Sequence, residues 1–259
     1  MSTTAERASE LLALHRAPEI LTVVNVWDVV SARVVATTPG TTALATASHS
    51  IAATLGYEDG EHIPLDLMLD MVGRIVAATD LPVTADLEAG YGDPAGTIGR
   101  AIDLGVVGAN IEDQMRPLAD ATGNVEAIMA AAAAAGVPDF VLNARTDAFL
   151  LAGDRPRADV LADAVERGRA FLDAGAPVVF VPGLLSEDEI ATLVAAYGDR
   201  RLSTIGVPGS VPLPRQQELG VARVSYGPYS QSAALTALQE LVESVHAGGG
   251  LPDGLRRLN

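Results

Sequence analysis

The chain contains no cysteine. That excludes disulfides, thiolate metal sites and a cysteine nucleophile, acid or base, and it fits a reducing cytosol. Aromatic residues are scarce, at 4% of 259 residues with a single Trp, while 49% are hydrophobic. The core must therefore be Ala, Val, Leu and Ile, which suits helices packed on buried parallel strands. Long apolar runs are missing as well. One of the longest, IMAAAAAAGV (128–137), is too short to span a bilayer and reads as a helix of high propensity. Basic residues are few: 17 Lys+Arg against 33 Asp+Glu leave a net charge of −16. Such a surface repels phosphate backbones, so nucleic acid is not an expected partner, and the excess charge serves solubility.

Other absences concern organisation. No Pro/Ser-rich linker divides the chain, no close repeat is present and no low-complexity tail follows. The N-terminal MSTTAERASELLALHRAPE mixes charges from its start and does not read as a signal peptide. The expected compartment is the cytoplasm, with no membrane association. No GxGxxG follows the first apolar run, so a dinucleotide site has no support. The glycine cluster at 247–250 has no strand before it and is not a phosphate loop. The length fits one domain spanning 1–259.

What is present is an alternation of short β-rich runs with amphipathic stretches. The β-rich runs are LTVVNVWD (21–28), TALATAS (42–48), PVTADLE (82–88), GANIED (108–113), FVLNARTD (140–147), PVVFVPG (177–183), RLSTIGVPG (201–209) and ARVSYGP (222–228). Helical stretches follow near Val29, Leu65, Pro94, Val125, Ala158, Ser186, Arg215 and Gln231, and residues 4–16 form an extra leading helix. Asp93-Pro94 is an N-cap followed by an N1 proline, and Ser186 with Glu189 forms a capping box. Eight strands alternating with eight helices predict a (β/α)8 TIM barrel with barrel strands over 21–228 and a C-terminal helix at 231–246. A doubly wound open sheet is the alternative.

In such a barrel, catalytic groups gather where strands end. Those ends carry Asn25, Trp27 and Asp28; Ser48, His49 and Ser50; Asp86 and Glu88; Asn110, Glu112 and Asp113; and Asn143, Arg145 and Asp147. Strand alternation would point Asp86 and Glu88 the same way, with Glu112 on the neighbouring strand. Three converging carboxylates need a cation or shifted pKa values. With all-oxygen ligands, the cation is Mg²⁺, or Mn²⁺, rather than Zn²⁺. Asp93 and Asp113 read equally as turn or cap residues. Arg145 is either an ion-pair partner of these acids or a fork that grips a substrate carboxylate. His49 is a base, a substrate donor or a plain loop residue. Trp27 packs near the barrel top or lines a pocket.

The order and spacing of NVWDVVSARVV, ATASHSIAATLGYEDGE, VTADLEAGYGD, GANIEDQ, VLNARTDAFL and GVARVSYGP resemble the isocitrate lyase / phosphoenolpyruvate mutase superfamily. The resemblance implies a Mg²⁺-binding barrel that holds an α-keto or 2-hydroxy acid and makes or breaks a bond beside it through an enolate-like intermediate. It implies Asp86 as direct metal ligand, with Glu88, Glu112 and Asp59 in the water-mediated shell. It assigns the substrate carboxylate to Arg145 and the backbone around Ala47, Ser48 and His49, and places Tyr91 near the reacting end. It also implies a homo-dimer or homo-tetramer whose C-terminal helix is exchanged between subunits. The chain departs from the family in the segment EDQMRPLADATGN (112–124), read as a loop after the fourth strand. It lacks the lyases' Cys, and Gln114 and Leu118 stand where phosphonomutases carry Lys. Pro182 replaces a mutase His. The expected activity is C–C cleavage, hydrolysis or decarboxylation of a small keto or hydroxy acid. The alternatives are a P–C bond enzyme and a barrel that binds a keto acid without turnover.

Overall fold

The fold is described from a computed structural model covering residues 2–256. Helix α1 (Thr4–Arg16) opens the chain with a capping box at Thr3 and Glu6. The elements then run β1 (Leu21–Val23), β2 (Asn25–Val26), α2 (Val29–Ala36), β3 (Leu44–Thr46), α3 (Ser48–Thr54), α4 (Leu65–Val76), β4 (Val83–Asp86), α5 (Pro94–Asp103) and β5 (Gly108–Glu112). They continue with α6 (Leu118–Ala134), β6 (Val141–Arg145), α7 (Arg157–Asp173), β7 (Val178–Phe180), α8 (Glu187–Tyr197), β8 (Leu202–Ile205), α9 (Leu213–Glu218), β9 (Arg223–Ser225) and α10 (Tyr229–His246).

All strand pairings are parallel, in the order β1-β9-β8-β7-β6-β5-β4-β3-β2. β1 and β2 are halves of one extended segment broken at Val24. One half pairs with β9 and the other with β3, so the sheet closes. The eight-strand barrel read from the sequence is what forms, and the open doubly wound sheet is not. One contiguous core of small aliphatic residues fills the space between strands and helices, as the scarcity of aromatics requires. The buried face of α1, with Ala8, Leu11 and His15, closes the lower end of the barrel.

Two local expectations need correction. Ser48, His49 and Ser50, read as the end of the second strand, open the short helix α3, whose Ile51 and Ala52 pack inward. The segment after β5 is a loop only over 113–117, because α6 begins at Leu118. The glycine in LADATGN suggests a break, but burial of Ala121, Val125 and Ile128 holds that turn helical. Helix α10 forms as expected, but only Gln231 in it is buried. Leu235, Leu238, Val242 and Val245 on it are each more than two-fifths exposed.

Candidate active site

The barrel's upper mouth, where the strands end, holds a cavity of about 440 Å³. Asn25, Ala47, Ser48, His49, Asp59, Asp86, Asn110 and Arg145 line its polar side. Asn25 secures the first and last strands around it. Its amide donates to Thr46 O at 2.7 Å, and its Oδ1 accepts from Tyr226 and Gly227 N–H at 2.8 Å.

Asp86 ends β4, and its backbone N–H donates to Thr46 Oγ1 at 2.9 Å. Its Oδ2 accepts from the Ser48 N–H at 3.1 Å and the Ser48 hydroxyl at 2.9 Å. Its Oδ1 is buried and has no hydrogen-bond partner. A carboxylate oxygen left so is costly unless something positive meets it.

Glu88 takes a different course. The strand has ended at Asp86, and Glu88 adopts a left-handed φ of 53°. Strand alternation therefore does not carry it to the face of Asp86. Its carboxylate accepts from the Glu61 N–H and from the Tyr91 hydroxyl, the latter at 3.1 Å. It is 3% exposed and is not on the cavity wall. Burial, then the charge of Asp59, pushes its pKa up to about 7, against the pull of the Glu61 N–H. Tyr91 is also left-handed and also off the wall. Burial and the neighbouring Glu88 carboxylate hold its phenol well above the usual range, so it stays a proton donor to Glu88. The Gly-Tyr-Gly turn depends on Gly90, where φ is 90° and a Cβ would stand 2.5 Å from Pro94 Cα.

Arg145 ends β6 and reaches two acids. Nη1 lies 2.8 Å from Glu112 Oε2, and Nε lies 2.7 Å from Asp147 Oδ1. Burial opposes its charge, but Asp147, Glu112 and Asp86 outweigh that and hold its pKa above the ordinary value. Glu112 also accepts from Gln114 Nε2 at 3.3 Å. Burial pushes its pKa up to about 7, with Arg145 resisting and Asp147 and Asp86 adding to the rise. Glu112 borders the cavity wall without being part of it. Among the described residues, no three His, Asp or Glu side chains converge closely enough to enclose a metal by themselves.

The remaining candidates divide. His49 is exposed and on the wall, and Asp59 is on the wall near Ser48, 3.5 Å from its hydroxyl. Trp27 is not in the mouth. It lines a separate apolar groove with Val30, Val34 and Ala234, between α2 and α10. Asp113 is a turn residue, as one reading had it, and also a clamp: Oδ1 accepts from the Met115 and Asp147 N–H groups, and Oδ2 pairs with Arg167 at 3.0 Å. This clamp holds Gln114 and Met115 in successive left-handed conformations, φ 48° and 53°.

One group escaped the sequence reading. Arg223 of β9 is 0% exposed, and all three of its guanidinium nitrogens lack hydrogen-bond partners. Burial pulls its pKa down to about 10, and the charge of Asp86 resists. The available signal was a lone charge inside the apolar run GVARVS.

The family model described as phosphoenolpyruvate phosphomutase matches residues 11–246. The chain belongs to the phosphoenolpyruvate mutase / isocitrate lyase superfamily. The 2-methylisocitrate lyase of Escherichia coli is 31% identical over 209 residues, 75% of this chain and 68% of that protein. A Burkholderia cenocepacia structure described provisionally as a phosphonomutase is 41% identical, with TM-score 0.86 over 93% of this chain and 98% of that one. An oxaloacetate acetylhydrolase solved with the product oxalate is 26% identical, with TM-score 0.86 over 100% of this chain and 93% of that one. Members of this superfamily are lyases, hydrolases and mutases, generally Mg²⁺-dependent. All 17 basic residues of this chain are Arg, so it has no Lys for a phosphonomutase-type loop anywhere.

Proposed function

We propose that this chain is a Mg²⁺-dependent lyase or hydrolase that cleaves a C–C bond, or decarboxylates, beside the carboxylate of a small 2-oxo or 2-hydroxy acid. One observation carries the reading: the free Oδ1 of Asp86 and the guanidinium of Arg145 belong to the same cavity. A hard divalent cation fits that oxygen. The donors around it, Asp59, Ser48 and Asn110, are all oxygen or amide groups, and no thiolate competes. Mg²⁺ keeps several waters and needs only one or two direct carboxylates, so Asp86 would hold it directly and Asp59, on the same wall, would hold its waters; Glu88 and Glu112, expected in that shell, stand behind the wall and would act from there through their charge. Mn²⁺ could replace it. When bound, the cation polarises the substrate oxygen on which negative charge develops.

The chain's own residues do the rest. Arg145 fixes the substrate carboxylate through Nη2, which takes part in neither of its ion pairs. Of the backbone at Ala47, Ser48 and His49 expected to complete the carboxylate's seat, the Ala47 and Ser48 N–H groups already donate to Val26 O and Asp86 Oδ2, so the His49 N–H takes that role. His49 is the one imidazole on the wall among the described residues, so proton transfer falls to it or to solvent. Tyr91 acts through Glu88, keeping that carboxylate in place. The exposed apolar face of α10 supports a homo-oligomer covered there by a second copy. Within the described residues no helix is long and apolar enough to cross a membrane, which is compatible with a cytoplasmic enzyme.

The test is to incubate the protein with Mg²⁺ and a panel of 2-oxo acids, 2-hydroxy acids and phosphonopyruvate, following products by NMR. Pyruvate, glyoxylate, oxalate or CO₂ released only with metal, and lost in Asp86→Ala, is the expected result. Phosphate release from phosphonopyruvate alone would favour the P–C bond reading, which the likeness to the Burkholderia protein keeps in play. No turnover with tight oxalate binding would return the barrel to a binding role.

A further inference from the structure

The mouth cavity has two unlike halves. The carboxylate-handling side carries Asp86, Asp59, Asn110 and Arg145. An apolar side is built of Leu150, Phe180, Pro182, Leu184, Ile205 and Val207: Phe180 is the register neighbour of Arg145, and Ile205 ends β8, across the barrel from β4 and Asp86. Leu150 and Leu184 stand at its rim 51% and 53% exposed, although nothing in the fold needs large apolar side chains in water there. Phe180, beside Arg145, is 5% exposed. The volume of about 440 Å³ lies within the range of sites that enclose drug-sized ligands. It is far more than a three-carbon acid fills.

Charge is just as uneven. Arg145 is the one Arg on the wall among the described residues, and two acids already face it. The neutral hydroxyls of Ser225 and Tyr229 are on the wall near the apolar side, and the nearby Arg223 is fully buried beneath it and not part of the wall. Arg116, on the loop after β5, is off the wall and donates to Gln114 Oε1 at 2.9 Å. A second anion placed against that apolar side would shed its water without finding a replacement donor. Relatives such as 2-methylisocitrate lyase and oxaloacetate acetylhydrolase are named for substrates with more than one carboxylate. This wall does not offer what such a substrate needs at its far end.

We infer that the substrate is a 2-oxo or 2-hydroxy monocarboxylate with a branched aliphatic or aromatic tail. The tail packs on Leu150, Phe180, Leu184 and Ile205, and those side chains set specificity. The inference rests on Asp86 and Arg145 being the carboxylate end, as proposed above. Each methylene moved from water onto such a wall strengthens binding roughly fourfold.

The experiment is calorimetric titration of the Mg²⁺-loaded protein with oxalate, pyruvate, 4-methyl-2-oxopentanoate, 3-phenyl-2-oxopropanoate, oxaloacetate and phosphonopyruvate. The tailed monocarboxylates should bind more than tenfold tighter than pyruvate, and the dianions with a distal charge no tighter than pyruvate. Leu184→Arg, at an exposed position that folding does not depend on, should gain at least tenfold for oxaloacetate and lose the preference for tails. If oxalate and pyruvate bind with Mg²⁺ but tails add nothing, or if oxaloacetate binds tightest and Arg116→Ala removes that advantage, the inference is overturned while the Mg²⁺–carboxylate reading stands. If not even oxalate binds with Mg²⁺, both fall together.

Discussion

Arg145 and Glu112 are register partners on adjacent parallel strands, and Nη1 of the first lies 2.8 Å from Oε2 of the second in an ion pair. With Asp147 on Nε, the guanidinium is held in a fixed plane before any ligand arrives. Such preorganisation lowers the cost of binding a second carboxylate.

Arg145→Ala should therefore act twice. Affinity for pyruvate or oxalate should fall by ten- to a hundredfold, since a charge-assisted contact contributes about 1.5–3 kcal/mol. Stability should fall as well, because Glu112 and Asp147 are left buried without their partner. Arg145→Lys should recover the stability in part but not the affinity, as Lys cannot fork. Unchanged oxalate binding in Arg145→Ala would make the residue purely structural.

Asp86→Asn keeps the shape and removes the charge. Calorimetry should then show no Mg²⁺ binding where the native protein binds. Ser48→Ala should cause a smaller loss, about three- to tenfold, because it removes one hydrogen bond that orients Oδ2. Native Mg²⁺ affinity in Asp86→Asn would refute the cation assignment.

The pH dependence of the metal-free protein has a definite sign. Glu88 and Glu112 are pushed up to about 7, chiefly by burial, whereas an unfolded Glu titrates near 4.3. As pH rises between those values the unfolded chain loses protons that the native protein keeps, so stability falls. Saturating Mg²⁺ favours the ionised forms and should flatten the fall. Urea midpoints measured across this window, with and without Mg²⁺, check both halves. Glu88→Gln should shrink the slope; a slope unaltered in that variant would place its origin elsewhere.

Arg223→Met tests the buried charge. The three guanidinium nitrogens make no hydrogen bonds, so exchanging the charge for an apolar chain of similar length should leave stability unchanged or raise it by about 1–2 kcal/mol. Removing a positive charge that Asp86 feels should also tighten Mg²⁺ binding several-fold. A large drop in the denaturant midpoint would mean that the guanidinium is well solvated inside the barrel.

Much of this was legible from the chain. Small aliphatic residues in an eightfold β/α alternation leave few ways to bury so much apolar surface, and the barrel is the result. Asp86 and Arg145 could be placed because each is the last residue of its strand, where the alternation stops and a polar side chain can meet the mouth. Glu88 was harder to place because the strand and its alternation end at Asp86, two residues before it. Its left-handed φ aims it at Glu61 and Tyr91. Trp27 follows β2 as expected, but the break at Val24 leaves it facing α2 and α10.

The sequence by itself determined the fold, the family and the positions of the charged strand ends, because periodicity and composition are local properties that one chain displays openly. Only the tertiary structure decided which oxygen of Asp86 stays free, that Arg145 stands between two acids, and that an apolar wall faces them. Those facts depend on partners 38, 33 and 2 residues away in the chain, namely Ser48, Glu112 and Asp147. Closure of the sheet is what brings the wall of Leu150, Leu184 and Ile205 across from Asp86.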